Sequence, residues 1–118
     1  NQHGIHGFWE SRLPELFAAK YTYFVGKAEY LDKPQISIWH AISVAHLQVD
    51  SVLTIERKLS NEFGDKKYSF ETRGRQTIRV YSKEFSTAYH KAMNNMVERQ
   101  LRLAIKLIAD FWYTAWVD

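Results

Sequence analysis

The chain has 118 residues, 46% of them hydrophobic and 15% aromatic, and carries a formal charge of +3. That suffices for one hydrophobic core, is too short for two ordinary domains and is too apolar for a disordered segment. The absence of cysteine excludes disulfides, thiolate zinc sites and cysteine nucleophiles, and no run reaches the ~18 consecutive apolar residues of a membrane span.

Residues 5–12 read as a short helix, and Pro14 suits the first turn of a second one, residues 14–19. The segment 21–31 (YTYFVGKAEYL) is aromatic, but Gly26 and Lys27 interrupt it, which predicts irregular structure. Asp32-Lys33-Pro34 is a helix start and Phe63-Gly64 a stop, so a long helix is expected over 34–61. Within it Trp39, Ile42, His46, Val49 and Leu53 recur at three- and four-residue steps, the pattern of a core-facing stripe.

The period then changes. Tyr68, Phe70 and Thr72 alternate with polar residues, Ile78 and Val80 flank Arg79, and Arg73-Gly74-Arg75-Gln76 lies between them. This predicts a β-hairpin over 67–81 with its tip at Gly74. Ser82 then caps a helix expected to run unbroken over 83–116, since no Pro or Gly intervenes. Its stripe is Phe85, Tyr89, Met93, Met96, Leu101, Ala104, Leu107, Ile108, Phe111 and Ala115. At ~1.5 Å per residue such a helix is roughly 50 Å long. A helix of that length outgrows so small a chain, and Phe111, Trp112, Tyr113 and Trp116 are expected to be left bare on it. The fold class is therefore mainly all-α: long antiparallel helices plus one small hairpin, forming a single unit over 1–118.

The start at Asn1-Gln2-His3-Gly4 without Met, and the close inside an aromatic run, predict that the unit is the C-terminal portion of something larger. A missing N-terminal part of the same protein would then be its first partner, and exposed apolar helix faces offer a route to oligomers.

Charge is uneven. Between Glu56 and Glu84 there are eight basic and five acidic residues, whereas the rest of the chain holds eight of each sign. Arg73, Arg75 and Arg79 are the candidates for a basic patch facing a phosphate-rich substrate, with a solvated hairpin as the alternative.

The constellation with most chemistry is His6-Gly7-Phe8-Trp9-Glu10. Four residues apart on a helix, His6 and Glu10 share a face. A neutral imidazole and a carboxylate are both zinc ligands at about 2.0–2.2 Å. Two ligands do not make a stable site, so others must come from elsewhere; the alternative is a plain surface hydrogen bond. His46 and Asp50 repeat the spacing, but His46 falls in the apolar stripe and reads more simply as a core histidine. His3 is a further candidate ligand just ahead of the helix. No nucleophile elbow, phosphate-binding glycine loop or dinucleotide fingerprint occurs.

Ile5-His6-Gly7-Phe8-Trp9-Glu10 resembles the late metal-binding helix of the zinc-dependent single-strand nucleases and bacterial zinc-dependent phospholipases C. That helix carries an apolar residue, a metal His, two variable residues, Trp and a metal Asp. His6, Trp9 and Glu10 match, with Glu10 standing for Asp and Gly4 where the nucleases usually have Asn. The stretch 109–118 (ADFWYTAWVD) is similar to secreted bacterial members of that superfamily. The resemblance implies an all-α fold around three zinc ions, a phosphodiester substrate (single-stranded nucleic acid or phospholipid) and a secreted or periplasmic location. It also implies that the other ligands lie N-terminal of Asn1, and that the chain on its own is inactive and retains no zinc. Two rivals stand beside it: a metal-free helical interaction module, and a relative of the same fold that has lost catalysis.

Overall fold

The computed structural model describes residues 4–118 and is mainly α-helical, with one two-stranded hairpin. Helix α1 (5–20) begins as Ile5–Gly7, widens into a π-helical turn over Phe8–Arg12, and continues through Leu13–Phe17 into a 3-10 turn, Ala18–Lys20. The expected break before Pro14 is absent. Pro14 has no N–H to give the carbonyl four residues back, and its ring would crowd that carbonyl. The π turn absorbs both problems: the Leu13 N–H reaches back to Phe8 O.

After the extended segment 22–31 come α2 (Pro34–Leu47) and α3 (Val49–Phe63), then β1 (Tyr68–Arg73), β2 (Gln76–Tyr81), α4 (Lys83–Ala92) and α5 (Met96–Val117). The hairpin is antiparallel, in register from Tyr68↔Tyr81 to Arg73↔Gln76. Its tip holds Gly74 at φ 62°, where a side chain would be strained.

Two long helices expected from the sequence are each divided. The helix over 34–61 breaks at Gln48 and runs on to Phe63, where Gly64 ends it. The helix over 83–116 breaks at Asn94 and Asn95, both left-handed with φ of 51° and 56°. Asparagine reaches that region at low cost because its short amide bonds locally, so it ends a helix as glycine would. Ser82 caps α4 as expected, its hydroxyl accepting from the Phe85 N–H at 3.1 Å.

The core lies where α1, α3, β2, α4 and the start of α5 meet. Phe8, Leu13, Leu59, Phe85, Tyr89, Met93, Met96 and Val97 are buried there. Phe8 touches the rings of Tyr81, Phe85 and Tyr89 at centroid distances of 4.3, 5.6 and 5.0 Å. Beneath them Lys67 and Glu56 form a buried ion pair at 2.5 Å. Ser60 donates to the same carboxylate, and three rings surround the ammonium at 5.4–5.5 Å.

The α2 stripe does not face this core. Trp39 is 66% exposed and Ile42 49%, and His46 is exposed as well, which corrects its reading as a core histidine. Apolar residues occur all round α2, and its side toward α5 is the one with small residues, Ala41 and Val44 beside Leu103 and Leu107. Small side chains let the backbones approach, and the bulky ones are left outside.

The segment 22–31 is irregular, as expected, yet it is tightly held. It runs parallel to α5, and its backbone is bound by helix side chains one turn apart. Glu98 accepts from the Thr22 N–H, Arg102 donates to Thr22 O and Phe24 O, Asp110 accepts from the Glu29 N–H, and Thr114 accepts from the Leu31 N–H. Lys106 bridges Glu29 and Asp110. Burial pushes the Asp110 carboxyl up, but Lys106 and the Glu29 N–H outweigh it and hold the carboxyl below its ordinary range.

The chain measures 54 × 33 × 21 Å with a radius of gyration of 17.4 Å. A compact domain of this length would have a radius of roughly 13.5 Å. The helices do not close around one another, and much apolar surface stays open.

Candidate metal-binding site

α1 is anchored by the residues flanking its His/Glu pair. Phe8, Arg12 and Leu13 are buried, and Trp9 Nε1 donates to the Tyr89 hydroxyl at 2.8 Å. That hydroxyl in turn donates to Val52 O at 3.2 Å. On the far side, Arg12 Nε donates to Tyr81 O, and its guanidinium meets Glu15 at 3.0 Å and Glu71 at 2.7 Å. These contacts fix the rotation of α1 about its axis, and that rotation turns His6 and Glu10 outward.

The two side chains converge as their spacing predicts. His6 Nε2 lies 3.0 Å from Glu10 Oε2, and the side chains are 84% and 66% exposed. Ligands about 2.1 Å from one tetrahedral ion sit roughly 3.4 Å apart, so this imidazole and carboxylate fit one zinc with little adjustment. No group of three or more His, Cys, Asp or Glu able to hold a metal occurs among the described residues. His3 lies outside the described residues. His46 and Asp50 are both exposed and lie on opposite sides of the Gln48 break, so no single helix face presents them together.

Beside Glu10 an open groove of about 460 Å³ is lined by Trp9, Pro14, Val97, Gln100 and Leu101. Gln100 and Leu101 lie some ninety residues from the motif, so no local sequence signal ties them to it. Gly4 also has a local role: at φ 86°, a Cβ there would meet the Tyr81 hydroxyl at 2.7 Å. Glycine thus lets β2 approach the start of α1.

The arginines expected to form a patch do not gather. The strand register puts Arg79 on the same hairpin face as Tyr68 and Phe70, and Arg73 on the opposite face with Glu71. Arg79 lies over the Tyr68 ring at 4.4 Å, whereas Arg73 binds Glu15 and Glu71. Arg75 stands exposed at the turn. Arg73 and Arg12 hold the Glu15 carboxyl below its ordinary range, and Arg12 and Arg73 do the same to Glu71. Of these three arginines, Arg73 has carboxylate partners among the described residues, Arg79 has a ring, and Arg75 faces solvent.

No protein-family profile matches the chain, and no curated protein or solved structure matches it at a significant level.

Proposed function

We propose that the chain supplies a His6/Glu10 ligand pair to a zinc site in a phosphodiester hydrolase of the nuclease or phospholipase C type. The observation that carries this reading is the convergence of the two side chains on an open surface, held by a helix whose other face is locked into the core. A plain i,i+4 surface pair would converge in the same way, and the response to zinc is what separates the two.

His6 would give Nε2 and Glu10 a carboxylate oxygen, and the remaining ligands would come from polypeptide approaching that open face. Once bound, the ion would supply Lewis acidity to a phosphoryl oxygen. The Trp9–Tyr89–Val52 hydrogen bonds keep the pair in place, and the groove beside Glu10 offers apolar walls for a substrate group next to the phosphate.

The reading is tested by titrating zinc into the chain and following the His6 ring by NMR. At millimolar zinc, where even a two-ligand pair that retains no metal is transiently occupied, those resonances should shift, and Glu10→Gln should abolish the shift, because the amide keeps the shape but loses the charge. Identical shifts in the wild type and in Glu10→Gln would sink the proposal. With the other ligands in place, His6→Ala should remove most hydrolysis of a simple phosphodiester such as bis(4-nitrophenyl) phosphate. An interaction-module reading is favoured instead by the bare faces of α2 and α5.

A further inference from the structure

We infer that the chain forms a symmetric dimer by seating the apolar α2–α5 face of one copy on that of a second copy. Ile38, Ile42 and Ala45 of α2, and Gln100, Leu103, Ala104 and Leu107 of α5, wall an open groove of about 320 Å³. On α5 the face widens along Leu101, Ala104, Ile108 and Trp112, which follow one another at three- and four-residue steps. Trp39 extends it on α2, with the exposed His46 beside it on the same stripe. Trp39 is 66% exposed, Ile108 56% and Trp112 77%.

Charge selects the occupant. Residues 34–49 contain no Asp, Glu, Lys or Arg. On α5 Glu98, Arg102, Lys106 and Asp110 sit on the side that holds the segment 22–31, and Arg99 turns back to the Asn94 and Met93 carbonyls. An uncharged face gives no complement to nucleic acid, an acidic or basic protein, or an anionic lipid surface. It does complement another uncharged apolar face, and this chain carries one. Two-helix faces meeting across a two-fold axis form a four-helix arrangement, in which the ridge of one copy fills the groove of the other.

The area is also sufficient. Trp39, Trp112, Ile38, Ile42, Ile108 and Leu101 would bury on the order of 700 Å² per copy, at the lower end of stable interfaces. Interface centres are depleted of charge, and interfaces between identical chains are the more apolar ones. A flat lipid surface would leave the groove unfilled.

The inference does not rest on the zinc reading, although Gln100 and Leu101 also border the groove beside Glu10, and it is tested without metal, by sedimentation velocity on the full chain from 1 to 100 μM in the presence of a chelator. The expected species has twice the 13.9 kDa of the chain. Ile42→Glu and Trp112→Glu should each weaken the association at least tenfold, with helical circular dichroism unchanged. Phe70→Glu, on the hairpin away from this face and 73% exposed, should leave the dimer intact. Because the chain has no cysteine, a single Ile42→Cys also gives a clean readout: a short bis-maleimide should link two copies, whereas Phe70→Cys should not be linked. A monomer at 100 μM, a dimer indifferent to Ile42→Glu, or binding to neutral phosphatidylcholine vesicles in place of self-association would each overturn the inference.

Discussion

The aromatic core around Phe8 and the α2–α5 pair are built from similar residues and end in opposite situations. Phe8 and Phe85 are fully buried, enclosed by rings from α1, β2, α3 and α4, whereas Trp39 and Trp112 project from helix sides left open among the described residues. The difference is topological: the hairpin folds back over α1 and closes the core, and no described element folds back over α2. Polar anchoring follows the same division. The buried Tyr89 hydroxyl is satisfied at both its donor and acceptor positions. Apolar content alone does not decide burial; closure by elements from several directions does.

Phe85→Ala breaks the comparison most directly, since the ring is fully buried among four aromatic neighbours. The expected loss is about 3–5 kcal/mol in urea unfolding. A loss under about 1 kcal/mol would show that the core is as loosely held as the α2–α5 face. Arg12→Met comes next. It leaves Tyr81 O without its donor and takes from the Glu15 and Glu71 carboxylates one of the two arginines they share, Arg73 remaining, at a cost of about 2 kcal/mol by the same measurement. Asn95→Ala, forcing a Cβ without a local polar bond into φ 56°, should cost about 1 kcal/mol, and Asn95→Gly close to nothing.

A pH titration sharpens the same contrast through His90. Its ring packs on Phe17 and shares a hydrogen bond of 2.8 Å with the Tyr21 hydroxyl, and burial holds its pKa below the ordinary value of 6.5. A group whose pKa is depressed in the folded state binds its proton more readily when unfolded. Stability is therefore complete above about pH 6.5 and falls as pH drops from there toward the folded pKa. His90→Phe should flatten that part of the stability profile; a profile unchanged by the substitution would show that the ring is not held as described. Smallest of all, Trp112→Ala should change the stability of the monomer by less than about 0.5 kcal/mol, because that side chain is 77% exposed.

How far the sequence could be read depended on whether the signal was local. The hairpin was legible because a change to period two and a glycine at the turn lie within fifteen residues, and the strands run Tyr68–Arg73 and Gln76–Tyr81 as that pattern requires. The outward convergence of His6 and Glu10 was legible for the same reason, being a matter of helical spacing. The division between α4 and α5 was not, because two consecutive asparagines do not carry the warning that glycine or proline would. The Trp39 to Leu53 stripe misled: correct periodicity shows which residues share a face, and only tertiary structure shows what that face meets. The polar series Glu98, Arg102, Lys106, Asp110 and Thr114 was present in the sequence at perfect four-residue spacing. It was hidden by attention to the apolar positions between its members.

That series has a consequence for tolerance to change. The helix grips the segment 22–31 mainly through its amides and carbonyls, with Glu29 and Tyr30 adding side-chain contacts to Lys106 and Asp118, so docking depends little on the other exposed side chains of the guest. Phe24 is 82% exposed and contributes only its carbonyl. Substitutions at exposed positions such as Phe24 should be accepted freely; the exceptions are Gly26, at φ 92°, and proline at 22, 29 and 31, where each residue must donate an N–H. One residue inserted between 24 and 29 would instead throw the later contacts out of step with the turns of the helix. The specificity of this attachment is written mainly on one partner, and the other is free to drift at its exposed positions while keeping its length.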